Sequence, residues 1–193
     1  DQLVRHNLHS IPERATALLM REGLMSRLLQ LITGSGQFGR ASGCVLLYGY
    51  GGVGKTALAA ELCYELLRRV QNRGISGYSF ILWLSSKEKE LRSNPATGGL
   101  CIGQVTPDYR NALDVVERLK ALLCLRPDAV LKDIAAHVHS SGARGIVVLD
   151  NFESLDEPDR REIRKLIKDL PRNVQFVITS REYYDIADDC IEV

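Results

Sequence analysis

The chain has 193 residues, 45% of them hydrophobic and 25% charged, values of an ordinary folded domain that exclude general disorder. Its 25 Lys+Arg against 24 Asp+Glu leave a formal charge of +1, divided as +4 over residues 1–75 (nine basic, five acidic) and −3 over the rest, so no basic field marks nucleic acid as the main partner. The longest apolar stretch, residues 15–32, is broken by Arg21, Glu22, Arg27 and Gln30 and falls short of a bilayer span, and the opening Asp1-Gln2 reads as a piece cut from a longer chain without a secretory signal.

Hydrophobic periodicity then predicts alternating helices and strands in chain order. Residues 16–32 read as a helix, and residues 44–48, bounded by Gly43 and Gly49, as a buried strand. Leu58, Leu62, Leu66 and Val70 form a stripe at helical spacing, and residues 80–84 are a second strand. Residues 85–107, with Asn94-Pro95 and Gly98-Gly99, are expected to form a long loop. Two helices follow over 111–124 and 129–140, then a third strand over 145–150 that is apolar until its aspartate. A helix over 158–170 with Pro158 in its first turn, a fourth strand over 174–179 and a fifth over 190–193 complete the pattern. Continuous apolar strands between amphipathic helices imply an α/β fold whose parallel sheet is covered on both faces.

Five cysteines (Cys44, Cys63, Cys101, Cys124, Cys190) without Cys-x-x-Cys spacing read as free thiols acting as small hydrophobes, and a reducing, cytoplasmic compartment is expected. His137-x-His139 lacks a third metal ligand nearby, and an i, i+2 pair points in two directions on a helix.

Gly49-Tyr50-Gly51-Gly52-Val53-Gly54-Lys55-Thr56 matches the Walker A pattern G-x-x-x-x-G-K-[ST], between an apolar strand and an amphipathic helix. Glycines at Gly49, Gly51, Gly52 and Gly54 let successive N–H groups, through Val53 and into Ala57, converge on phosphate oxygens, and the following helix aims its positive end at them. Lys55 is expected to reach the β- and γ-phosphates, and Thr56 to ligate Mg²⁺. Gly145-Ile146-Val147-Val148-Leu149-Asp150 has the form of a Walker B strand, its acid at the sheet edge where ligands bind and placed to hold Mg²⁺. Hydrolysis also needs a group that orients or deprotonates water. Asn151 cannot accept a proton as a carboxylate does, and Glu153 reads either as that base or as a solvated loop charge. Arg181, closing Thr179-Ser180-Arg181, reads either as a guanidinium facing the γ-phosphate opposite Lys55 or as an exposed residue after a strand.

The order of these motifs resembles the STAND ATPases of NB-ARC (AP-ATPase) type: the phosphate loop, Ile81-Leu82-Trp83-Leu84-Ser85-Ser86-Lys87, then Val147-Val148-Leu149-Asp150-Asn151-Phe152-Glu153, then Val177-Ile178-Thr179-Ser180-Arg181. The wording around Asp150 is most similar to the bacterial branch of these nucleotide switches, which serve in signalling and anti-phage defence. The likeness implies a P-loop NTPase core in three layers with a five-stranded parallel sheet of order 5-1-4-3-2. It implies a linker over 1–15 and a nucleotide-binding core over 16–193. It also implies ATP or ADP with Mg²⁺, Arg181 as the γ-phosphate sensor, and slow hydrolysis coupled to homo-oligomerisation. Met20-Arg21-Glu22 resembles the family's Gly-Arg-Glu motif, with Met20 in place of glycine, and assigns Arg21 to the nucleotide. Asn151 stands where the family usually has a second acid, and the last residues resemble the strand leading into a helical lid and winged helix. Without those regions, nucleotide binding is expected to be weak and turnover minimal.

Two other classes of phosphate-loop protein carry their own signatures. A GTPase should carry Asp-x-x-Gly after its acid strand and an Asn/Thr-Lys-x-Asp motif, and neither occurs. A loader or motor ATPase acting on nucleic acid should carry a basic strip. Arg160, Arg161, Arg164, Lys165 and Lys168 are instead interleaved with Asp159, Glu162 and Asp169, the pattern of a solvated helix face.

Overall fold

The computed structural model describes residues 4–11, 22–35, 40–72, 77–93 and 100–193. In chain order these form β1 (Arg5–His6), α1 (Glu22–Thr33), β2 (Cys44–Tyr48), α2 (Lys55–Gln71), β3 (Tyr78–Ser85), β4 (Lys89–Ser93) and β5 (Leu100–Gln104). Then come α3 (Ala112–Leu123), α4 (Leu131–Ser141), β6 (Arg144–Asp150), α5 (Glu157–Asp169), β7 (Val174–Ser180) and β8 (Asp189–Glu192).

The main sheet runs β1-β3-β6-β7-β2-β8 with every pairing parallel. Six strands stand where five were expected, so the sheet order differs from the five-stranded one by a strand added outside β3. That strand has two residues, both exposed, and therefore left no apolar signal to read. Its backbone pairs Arg5 with Phe80 and His6 with Ile81. Asn7 extends the pairing with its side chain: Oδ1 accepts from Trp83 N and Nδ2 donates to Trp83 O, both at 2.7 Å.

A second correction concerns residues 85–107, expected as loop. They contain an antiparallel hairpin of β4 and β5, with Lys89 opposite Gln104 and Ser93 opposite Leu100. The strands Lys89-Glu90-Leu91-Arg92-Ser93 and Leu100-Cys101-Ile102-Gly103-Gln104 share no clear apolar alternation, and their pairing is a main-chain ladder that spacing does not display. The first turns of the helix expected over 16–32 lie outside the described residues.

The strands are apolar throughout because both faces are buried. Ile146 and Val148 face one way, with Leu28 and Ile32 of α1 and Leu58, Leu62 and Leu66 of α2. Val147 and Leu149 face the other, with Val115 and Leu119 of α3, Ile134 of α4 and Ile163 of α5. Each such side chain, fully buried, contributes about 1.5–3 kcal/mol of apolar transfer, which makes β6 the natural centre of the three layers. At the amino-terminal edge of the sheet the last carbonyls of α1 are capped by tertiary contacts: Ile32 O accepts from Arg144 at 2.7 Å, Gln175 at 2.9 Å and Tyr78 at 3.2 Å.

Candidate functional site

The opposite, carboxyl-terminal edge carries the candidate site. Past Tyr48 the chain turns through Gly49, Gly52 and Gly54, whose φ values of 148°, 82° and 94° favour residues without a Cβ. At Gly49 space forbids one as well, since it would lie 2.7 Å from Val193 O. Gly54, left-handed, is the N-cap of α2, so the first turn of that helix opens directly onto the loop. Lys55 Nζ folds back over it, donating to Gly49 O at 2.8 Å and Tyr50 O at 2.7 Å. Burial chiefly, and Arg181 to a lesser degree, lower the pKa of this ammonium, while Glu153 and Asp150 pull it upward.

β6 delivers Asp150, 4% exposed, to the same edge. Three hydroxyls meet its carboxylate: Thr56 Oγ1 and Thr179 Oγ1 donate to Oδ1 at 2.7 and 2.6 Å, and Ser85 Oγ donates to Oδ2 at 3.3 Å. The next residue, Asn151, takes a left-handed conformation (φ 65°), and its side-chain amide is engaged by Ser154 Oγ. This turn starts a short 3-10 segment, Phe152–Ser154, that carries Glu153 into the cleft. Glu153 Oε1 pairs with Arg181 Nε at 3.1 Å, and its buried Oε2 has no hydrogen-bond partner. The Glu153 side chain is 16% exposed and that of Arg181 66%. Glu153 is therefore a shielded carboxylate aimed at the site. A Cβ built on Gly51 would lie 3.7 Å from the Arg181 guanidinium, which places that arginine directly over the glycine loop.

The cleft between these groups has a volume of about 1110 Å³ and is lined by Gly51, Gly52, Gly54, Lys55, Thr56 and Ala57 with Asp150, Glu153, Thr179 and Arg181. Gly49 shapes the loop from beneath, against Val193 and the Val53 methyl. Arg21 lies outside the described residues. The cleft also extends between α1 and α2, where Met25, Leu29 and Tyr64 stand among the polar Gln30, Glu61 and Glu65.

The donors around Asp150 are all oxygens, one carboxylate and hydroxyls, which suits a hard cation such as Mg²⁺ that draws its other ligands from water and phosphate. Thr56 and Asp150 would hold it. Among the described residues no cluster of three His, Cys, Asp or Glu gathers that could hold a metal, and His137 and His139 on α4 join none. Cys44, Cys63, Cys124 and Cys190 are free, and Cys124 is exposed at the end of α3. No described helix is long and apolar enough to cross a membrane.

Sequence reasoning assigned no role to Thr179 or Ser85. Both sit beside Asp150 because their strands are its neighbours: Ser85 is in register with Asp150, and Thr179 follows Ile178, the partner of Leu149. Strand order, which residue spacing does not display, is what makes them part of the site.

The AAA ATPase domain family matches residues 17–178. No curated protein matches the chain. Among solved structures, Cdc6p from Pyrobaculum aerophilum is similar with a TM-score of 0.55 at 16% identity, over 89% of this chain and 41% of that one. The ORC2 protein of Aeropyrum pernix, solved as ADPNP-ADP complexes, is similar with a TM-score of 0.51 at 16% identity, over 83% of this chain and 40% of that one. At such identities the likeness is one of fold, and the chain spans about two fifths of the length of these proteins.

Proposed function

The chain belongs to the AAA ATPase domain family, which implies a nucleotide site, and from that premise we propose that it is the ATP/ADP switch domain of a signalling ATPase of the STAND, NB-ARC type. The observation that carries this reading is the Arg181–Glu153 pair beside the glycine loop. Arg181 is mostly exposed in this pair, so solvent screening holds its worth to about 1 kcal/mol, whereas a guanidinium on a phosphate gains stronger, charge-assisted bonds. A third phosphate therefore takes Arg181 from Glu153, and a diphosphate leaves the pair intact. The position of the Arg181 loop thus depends on nucleotide state.

The remaining groups follow from the same geometry. Loop N–H groups and the start of α2 bind the phosphates, and Lys55 exchanges the Gly49 and Tyr50 carbonyls for phosphate oxygens. Thr56 and Asp150 would hold Mg²⁺, which would supply charge neutralisation to the nucleotide's phosphates. Glu153, once released by Arg181, is the carboxylate available to take a proton from water, since Asn151 cannot. A base that must first be freed from an ion pair fits slow hydrolysis, the behaviour of a timer rather than a motor. Output by homo-oligomerisation, with lid and winged-helix regions in cis and a reducing, cytoplasmic setting matching the free thiols, completes the proposal; a defence role accords with the bacterial wording around Asp150.

Sedimentation of the protein that carries this domain tests the switch. Different assemblies with ADP and with a non-hydrolysable ATP analogue are expected, and identical sedimentation in both would overturn the reading.

A further inference from the structure

Two hydroxyls on Asp150 share an arrangement that fixes where their protons go. Thr179 Oγ1 accepts from Asn151 N at 3.0 Å and donates to Asp150 Oδ1 at 2.6 Å. Ser85 Oγ accepts from Lys87 N at 3.3 Å and donates to Asp150 Oδ2 at 3.3 Å. A hydroxyl has a single proton. In each case a backbone N–H occupies an acceptor position, which leaves that proton for the carboxylate. One hydroxyl thus serves each carboxylate oxygen, from the strands on either side of β6.

Both donors are themselves held. Thr179 is 2% exposed and β-branched, so its side chain has little rotamer freedom in the packed strand. Ser85 is clamped through its backbone by Asp108, whose carboxylate accepts from Ser85 N at 3.0 Å and whose N–H donates to Ser85 O at 2.8 Å. Thr56, the third donor, is different: its hydroxyl is also the one that would ligate the cation, so its position would be set by that ion as well as by Asp150. Thr179 and Ser85 have no assigned cation to follow, so their hold on the carboxylate plane is independent of it.

We infer that Thr179 and Ser85 are positioning residues, a hydroxyl clamp that presets the Asp150 carboxylate for the nucleotide-bound cation. The inference rests on the proposed nucleotide site and adds residues to it. Thr179 has a second task through Asn151 N, since it also fixes the start of the left-handed turn that carries Glu153 toward Arg181.

The test measures binding of a fluorescent ADP, in EDTA and across a Mg²⁺ titration, to the wild-type domain, Thr179→Val, Thr179→Ser and Ser85→Ala. Outer partners of metal ligands typically alter metal affinity about 10–100-fold. Thr179→Val should keep its affinity in EDTA within about twofold of wild type while the Mg²⁺ concentration for half effect rises at least about tenfold, and Thr179→Ser should restore it. Ser85→Ala should shift the same midpoint in the same direction by a smaller factor, its bond being longer, and it serves alone if Thr179→Val fails to fold. A Mg²⁺ midpoint unchanged in the variants overturns the clamp, and so does an equal loss of affinity with and without Mg²⁺, the mark of a merely structural role. Wild-type protein that binds no ADP in either condition would remove the nucleotide site itself, a failure distinct from either of these.

Discussion

Arg181 Nε lies 3.1 Å from Glu153 Oε1, so a strand-end arginine and the carboxylate of a turn three residues past Asp150 hold one another beside the phosphate loop. Neither residue is near the other in sequence. Their pairing joins the group suited to sense a third phosphate to the group suited to activate water.

Separating the two should therefore have opposite consequences. Arg181→Ala should lower affinity for an ATP analogue about 10–100-fold, the worth of a charge-assisted bond, with ADP affinity within about twofold of wild type. Glu153→Gln should leave ATP affinity undiminished, because Arg181 is then free, while slowing any hydrolysis about 100-fold or more. Calorimetry with both nucleotides and a phosphate-release assay check the pair. Equal losses for ADP and ATP in Arg181→Ala would remove its role as sensor.

The pH dependence of binding follows from Lys55. Phosphate binding needs the ammonium, and burial lowers its pKa from the ordinary 10.5. Affinity for Mg²⁺-free ADP should accordingly begin to fall, as pH rises, below that value. In the same window the unfolded chain still holds a proton that the folded, nucleotide-free domain has released, so the Lys55 contribution makes stability rise with pH. Titration of ADP affinity at a series of alkaline pH values checks the sign, and affinity that is flat until the ordinary lysine range contradicts it.

Asn7 holds the outer sheet edge by matching both backbone groups of Trp83. Asn7→Ala leaves that N–H and C=O without their side-chain partner and should destabilise the domain by about 1–3 kcal/mol. The chain has a single tryptophan, Trp83 itself, so fluorescence-monitored denaturation reports directly on this contact. A midpoint equal to wild type would show that the edge does not depend on Asn7.

Gly145, the second residue of the central strand, lies opposite Phe80, and a Cβ there would come within 2.2 Å of the ring. Phe80 is fully buried and cannot swing away without disturbing β3. Gly145→Ala should lower stability by about 1–3 kcal/mol, the usual range for overpacking, with thermal unfolding as the measurement.

Much of this molecule was legible without coordinates, for a local reason in each case. The glycine loop announces itself because phosphate binding needs a set of residue types at fixed spacing, and Asp150 because a central strand must be apolar until it leaves the core. Helices α2 to α5 were readable from 3.6-residue periodicity, since each buries one face against the sheet. The sixth strand was not, because Arg5 and His6 are held by backbone pairing and by Asn7 rather than by burial. The β4–β5 hairpin was missed for a related reason: a ladder of main-chain hydrogen bonds leaves little trace in side-chain type.

Residue identity alone thus determined the fold class, the phosphate loop and the acid, because these rest on local chemistry and on burial. The tertiary structure decided what depends on neighbours: which hydroxyls meet Asp150, and that Glu153 faces Arg181 rather than water. The physical reason is that a parallel sheet places side by side residues far apart along the chain, and strand order is set by the packing of the whole core, not by any one segment of it.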